Sequence, residues 1–384
     1  MRIAVVSSRY PSPYNPYVYA FVHTRVKQYL KKGIQTTVLV PAKEKAIYEI
    51  EGVQVHRMPA LEILSILQMF DVVMLHLLHI SHMSERDGSL IYEFLLREQQ
   101  PTIIFIHGIE VQRIFLSRRE QIHWLRPRSI AVSIYHDFFQ IPKIKYYFAR
   151  FLEIHSQVRF VAVSRWMLSE VKRNLGLDLN TKATIIPNGI DTQLFTFKDR
   201  WASRHRLLTI RPLILKGKYA VDLALETMRY VPSTISLNIY GQGPDAAKIR
   251  ARIRAYGLQK QVHLSEKFFL HSELPQIHEG HGIYYAVTRM DSQGVSMGEA
   301  MASGLPVISF AICGIPEFVH HGQSGLLIPP YDVRQAAEAI QALVEDRDLY
   351  QRLAEGGRRF VESISIERTT ARELALAKSL LTRP

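Results

Sequence analysis

Residues 290–319 read MDSQGVSMGEAMASGLPVISFAICGIPEFV. Just before them, GIYYAV (282–287) is a continuous apolar run, the mark of a strand buried on both faces. A helix is expected from near Ser296 to Gly304, with Pro306 barring its continuation. PVISF (306–310) is then a second buried strand. Strand, helix and strand in this order form the βαβ unit of a parallel sheet covered by helices on both faces.

The same pattern extends in both directions. GLLIPP (325–330) follows, and VHLSE (262–266), ISLNIYG (235–241) and LLTI (207–210) precede, with a helix over KYAVDLALETMRYV. Farther upstream IAVVSS (3–8), QTTVLVP (35–41), DVVMLHL (71–77), TIIFIHG (102–108), VRFVAVS (158–164) and ATIIPNGID (183–191) repeat it. The last of these ends in an expected Asn188-Gly189 turn. The polar stretch near 190–205 reads as a linker, and SIERTTARELALAKSLL (365–381) as a closing helix. The expectation is an α/β protein of two tandem doubly wound, Rossmann-like domains, 1–190 and 205–364.

Bulk properties bound the function. A chain of 384 residues is too long for one compact core. Its net charge of +13 favours an anionic partner. The single cysteine, Cys313, leaves no intramolecular disulfide and suits a reducing compartment. The opening MRIAVVSS has no charged leader and long apolar block, so no secretion signal is expected. The most apolar window, ILSILQMFDVVMLHLL, is interrupted by Gln68 and Asp71 and reads as a short helix and a strand rather than a membrane span.

Open parallel sheets bind ligands beyond the carboxyl ends of their strands, and two such domains facing each other make a cleft suited to a substrate pair. Asp291 lies on the loop leaving the 282–287 strand, Gly294 lets that loop approach a ligand, and the helix behind it offers unpaired N–H groups to a phosphate. Carboxylates repel phosphate, so Asp291 and Glu299 fit the neutral diols that flank one. Equally, Glu299 can simply favour its helix N-terminus and Asp291 cap a loop. Arg211, at the end of the 207–210 strand, and Lys216, five positions on, supply cations at the same sheet edge. YGQGP (240–244) adds a glycine turn at another strand end.

These residues resemble a known family. Asp291 and Glu299 at their spacing, EAMASGLPVI (299–308), GIPEFV (314–319), GQSGLLIPP (322–330), Arg211 with Lys216-Gly217, YGQGP and IIPNGID (185–191) look like the retaining glycosyltransferases of family 4, of GT-B fold. The resemblance implies that two domains face each other across a cleft and that the C-terminal helix 365–384 crosses back to the first. It implies a nucleoside-diphosphate sugar as donor substrate, with neither UDP nor GDP singled out, no cofactor and no metal. Glu299 should hold the ribose hydroxyls, and Arg211 and Lys216 should neutralise the leaving diphosphate. Asp291 should touch the transferred sugar, and the backbone of Gly294, Val295 and Ser296 should line the phosphates. Gly241 and Asn188 join the donor side; Tyr17 and His23 fall on the acceptor side. Two departures stand out: Asp291 is one methylene shorter than the family's usual Glu, and the first loop, SSRYPSPYNPYVYAF, lacks its usual Gly-Gly.

His107 ends TIIFIHG, where the family often has an active-site histidine. His76, His79 and His82 stand three apart, but no cysteine or nearby carboxylate completes a metal set, and strand-end histidines are expected instead. Residues 101–160 carry nine Lys or Arg against four acids, with interleaved aromatics. Such a face suits an anionic lipid surface or a solvated exterior over buried rings; no nucleic-acid motif is present. The reading is a retaining transferase acting on a glycan or lipid-linked acceptor in surface polysaccharide or glycoconjugate synthesis, cytoplasmic and peripheral on the inner face of the membrane. The alternatives are a lapsed partner-binding subunit of the same fold and a sugar-nucleotide epimerase.

Overall fold

The structure is a computed structural model that describes residues 1–382 apart from 16–17, 82–85, 118, 120, 121, 123 and 125. The chain forms two compact units, Met1–Gly189 with Ile366–Pro384, and Ile190–Ser365.

The first unit is built on eight strands: β1 (Arg2–Ser7), β2 (Gln35–Pro41), β3 (Ala46–Ile50), β4 (Val53–Met58), β5 (Val72–His76), β6 (Thr102–Ile106), β7 (Val158–Ala162) and β8 (Ala183–Ile185). Their order is β3-β4-β2-β1-β5-β6-β7-β8. All neighbours run parallel except β3, which pairs antiparallel with β4. The chain winds outward from β1 in one direction and returns through β5 in the other, so the crevice of this sheet lies beyond the ends of β1 and β5. Val72, Val73, Met74 and Leu75 are buried to the last atom or nearly so, as a strand covered on both faces requires.

The second unit has six parallel strands: β9 (Arg206–Ile210), β10 (Ser236–Tyr240), β11 (Val262–Ser265), β12 (Ile283–Tyr285), β13 (Val307–Phe310) and β14 (Leu326–Ile328). Their order, β11-β10-β9-β12-β13-β14, reverses between β9 and β12. The βαβ unit expected around 290–319 is β12, helix Val295–Ala302 and β13, paired parallel through Tyr284–Val307 and Tyr285–Ile308. Together the two sheets are the doubly wound pair of the GT-B fold.

Two expectations need correction. Residues 190–205 are not a free linker. Ile190 and Phe195 are buried, and Arg358 Nη1 donates to the carbonyls of Phe195 (2.8 Å) and Ala302 (3.0 Å), which ties the stretch to the second unit. Asn188-Gly189 is not a turn either. A Cβ at Gly189 would sit 2.2 Å from Thr369 Oγ1 and 2.5 Å from Ile366 Cα. The glycine answers a close approach of the C-terminal helix, which sequence alone could not separate from a turn.

That helix, Ile366–Leu381, belongs to the first unit, where Leu374, Ala377 and Leu380 enter the core beside Val22, Val26 and Tyr29. It carries Glu373, fully buried, onto Arg25. Arg25 Nε donates to Glu373 Oε1 at 2.9 Å, Nη2 to Asn188 Oδ1 at 2.8 Å and Nη1 to the Phe21 carbonyl at 3.2 Å. The Tyr29 hydroxyl donates to the other Glu373 oxygen. Among the described residues no helix is long and apolar enough to cross a membrane.

Candidate active site

In the second unit the ligand edge is where β9 and β12 part. Arg211 follows β9 directly, and its guanidinium is almost fully buried. Nη2 donates to the Ala286 carbonyl at 3.0 Å, just past β12, and the group lies 5.0 Å from the centre of the Tyr219 ring. Its Nε has no hydrogen-bond partner among the described residues, and no carboxylate pairs with it. A buried guanidinium without an anion is costly. The loop at Gly241 packs against Arg211 so closely that a Cβ there would lie 1.8 Å from the Arg211 carbonyl oxygen.

Lys216 is exposed on the loop that follows. That loop is tied to the β12 side. Thr288 Oγ1 donates to the Lys218 carbonyl at 2.7 Å, the Arg289 amide donates to the same carbonyl, and Arg289 Nη1 reaches the Gly217 carbonyl at 3.2 Å. Arg289 is itself held by a two-pronged pair with Asp222, both contacts 2.8 Å. Sequence reasoning passed over Arg289, because its partners are 67 to 72 positions away.

Asp291 Oδ1 accepts from the amides of Gln293 (3.3 Å) and Gly294 (3.0 Å), so the carboxylate shapes its own loop. Gly294, at φ 78°, caps the helix Val295–Ala302 and leaves the first amides of Val295 and Ser296 at its N-terminus. Glu299 lies one turn in, buried, with His271 Nε2 at 2.9 Å from Oε1. Tyr284, on β12, is fully buried; burial raises its pKa, with Arg211 opposing that shift. Neither Tyr284 nor His271 was expected: the first lies inside an apolar run, the second on the short helical turn His271–Glu273.

In the first unit histidines gather at the ends of β5 and β6. His76 Nδ1 and His107 Nε2 are 3.1 Å apart, and burial pushes the pKa of both well below the ordinary histidine value. Both rings are neutral at pH 7, so one nitrogen donates and the other accepts. His79 Nε2 is 3.2 Å from the Tyr19 hydroxyl, and burial lowers its pKa to about 4. His76 and His79 thus have different partners, and no metal cluster occurs among the described residues. His82 and Tyr17 lie outside the described residues. His23 is buried with Nδ1 2.9 Å from the Tyr10 hydroxyl, and Asn188 is bound to Arg25, so both belong to the interior of the first unit.

Comparison with known proteins follows this division. The family described as Glycosyltransferase Family 4 matches residues 19–194, and that described as Glycosyl transferases group 1 matches residues 214–360. The GtfA subunit of a UDP-N-acetylglucosamine–peptide N-acetylglucosaminyltransferase from Streptococcus gordonii is 33% identical over 29% of this chain and 21% of its own length. A GDP-mannose-dependent alpha-(1-6)-phosphatidylinositol monomannoside mannosyltransferase from Mycobacterium tuberculosis is 28% identical over 46% of this chain and 50% of its own. The chain therefore spans half or less of these two curated relatives. Among solved structures, Anabaena HepE in complex with UDP aligns with a TM-score of 0.74 at 13% identity over 99% of this chain and 100% of that one. Sucrose-phosphate synthase from Thermosynechococcus elongatus aligns with 0.71 at 16% identity over 99% of each chain. At these identities the structural likeness is one of fold.

Proposed function

We propose that this chain, which belongs to the group 1 glycosyltransferases of family 4, moves a sugar from a nucleoside-diphosphate sugar to a glycan or lipid-linked acceptor with retention at the anomeric carbon. One observation carries the reading: Arg211 is buried at the switch point of the second sheet with its Nε unpaired and no carboxylate beside it. A diphosphate supplies the missing anion, and its charge is greatest when it leaves.

In this reading Arg211 and Lys216 take up the leaving diphosphate, and the amides of Gly294, Val295 and Ser296 bind its oxygens. Gly241 gives the phosphates room at the end of β10. Glu299, oriented by His271, accepts from the ribose hydroxyls. Asp291 holds the loop that meets the sugar. In the first unit, neutral His107 hydrogen-bonds the acceptor or the transferring sugar. The leaving phosphate oxygen takes the acceptor's proton on the face it departs from, so the protein contributes positioning and electrostatics, with no metal and no protein nucleophile. The names of the two relatives quoted carry different bases, UDP and GDP, so the base stays open. Surface polysaccharide or glycoconjugate synthesis, on the inner face of a membrane, is the setting that suits such an acceptor.

A second reading, a lapsed subunit that binds without turnover, is favoured by Asp291, whose Oδ1 is already engaged by its own loop. Donor-dependent turnover separates the two. With turnover in hand, Glu299→Ala raises KM for the donor, whereas Arg211→Ala and Lys216→Ala lower kcat, because cation–phosphate contacts strengthen as charge develops. EDTA leaves the rate unchanged. Near-wild-type kcat/KM in all three variants would overturn the site assignment.

A further inference from the structure

Three loops leave the strand ends of the second sheet on its ligand side: 211–220 after β9, 286–294 after β12 and 311–314 after β13. A loop keeps a fixed place only where its backbone groups find partners. Arg289, in the middle loop, supplies them. Its amide donates to the Lys218 carbonyl at 2.6 Å, and Nη1 donates to the Gly217 carbonyl at 3.2 Å. The same guanidinium is fixed by both oxygens of Asp222, each at 2.8 Å. Farther along, the Arg289 carbonyl lies 3.9 Å from Cys313 Sγ, and the Asp291 carbonyl accepts from the Gly314 amide at 3.0 Å. Arg289 thus joins the first loop to the second, and the second is joined to the third.

What the first loop carries gives this tie a chemical meaning. Lys216 directly precedes the anchored carbonyls of Gly217 and Lys218. Tyr219 directly follows them, its ring centre 5.0 Å from the Arg211 guanidinium. The anchor therefore sits between the exposed cation and the ring that faces the buried one. Lys216 makes no ion pair among the described residues, so its backbone decides where its ammonium stands. A lysine is a point charge on a flexible stem, and fixing its backbone is the way to aim it. An arginine suits the fixing role, because its planar fork can hold a carboxylate with two nitrogens and still reach a carbonyl.

We propose that Arg289 is a positioning residue of the donor site: with Asp222 it holds the loop 216–219 against the loop after β12, and so holds Lys216 where it meets the diphosphate. The proposal rests on the donor-site reading given above. Arg289 acts through Lys216 and makes no contact with the nucleotide itself. Asp222 lies in the first turn of helix Val221–Thr227, where a carboxylate is favoured, so removing Arg289 does not strand a buried charge. Loss of the arginine releases the loop and leaves the fold.

The test is a cycle of variants of the full chain, titrated calorimetrically with UDP and GDP, which carry the charge the diphosphate develops on leaving. Whichever binds the wild type more tightly is followed through the cycle. Lys216→Ala should weaken it by about tenfold, and Arg289→Ala by about as much. In the Arg289→Ala background Lys216→Ala should cost about twofold at most, because the lysine is no longer held. Glu299→Ala, which acts on the ribose, should cost the same factor in both backgrounds, and a merely structural arginine would leave the cost of Lys216→Ala unchanged as well. Circular dichroism and melting without nucleotide check that each variant is folded. Asp222→Asn, which loosens the same pair and disturbs the fold less, repeats the cycle with a smaller loss in the same direction. Folded variants of Arg289 and Asp222 that bind as the wild type does, or a Lys216→Ala cost equal in both backgrounds, would overturn the proposal and leave the donor site standing. A wild type that binds neither nucleotide would overturn the donor-site reading and the proposal with it.

Discussion

Two buried arginines set the units of this protein apart. Arg25, in the first unit, has an acceptor for each of its three nitrogens: Glu373, Phe21 and Asn188. Arg211, in the second, has the Ala286 carbonyl, the face of Tyr219 and an empty Nε. The first arrangement is closed and ties the C-terminal helix to the sheet. The second is open, at a sheet edge where ligands bind. Burial alone does not mark a functional charge; Arg211 stands out because it is buried at a ligand edge with its Nε unpaired.

Breaking the closed cluster should have the largest effect on stability. Glu373→Ala strands Arg25 and should cost about 3–5 kcal/mol, as for other broken buried pairs. Arg25→Met with Glu373→Leu removes both charges and should cost far less than Glu373→Ala alone. Urea unfolding of the three proteins decides this. A double variant as unstable as Glu373→Ala would show that the cluster contributes more than charge compensation.

A smaller effect sharpens the contrast from the side of pH. His155 is fully buried against Phe151, and burial, with Lys182 adding to it, lowers its pKa to about 4. The unfolded chain takes up a proton near pH 6.5 that the folded protein refuses until about pH 4, so the contribution to stability is complete above pH 6.5 and is lost as pH falls toward 4. The loss is on the order of 2 kcal/mol at pH 5. His155→Phe should therefore narrow the stability difference between pH 7 and pH 5; an unchanged difference would place the acid sensitivity in other groups, His76, His79 and His107 first among them.

The fold was legible in the sequence because buried parallel strands are written as unbroken apolar runs, and 282–310 carries two of them around a helix with clear stops. The hairpin of β3 and β4 was not, because β3 is mostly exposed and carries Glu49 and Tyr48 where a buried strand would be apolar. Arg211 and Glu299 could be picked out because each follows a strand or opens a helix. Tyr284 could not, since a phenol inside GIYYAV reads as core. His271 and Arg289 act through partners 28 and 67 residues away, which no spacing rule reaches. Asn188-Gly189 misled for the opposite reason: a strong local turn signal was set aside by a contact with Ile366 and Thr369.

The most direct test of the central claim is Arg211→Met, with urea unfolding measured with and without UDP and GDP. If the guanidinium is held for a diphosphate, the ligand-free variant should be as stable as the wild type or more so, because an unpaired buried charge has been removed. The stabilisation that the nucleotide gives the wild type should largely vanish. A variant that loses several kcal/mol without ligand, yet is stabilised by the nucleotide as the wild type is, would contradict the account and make Arg211 a structural residue like Arg25.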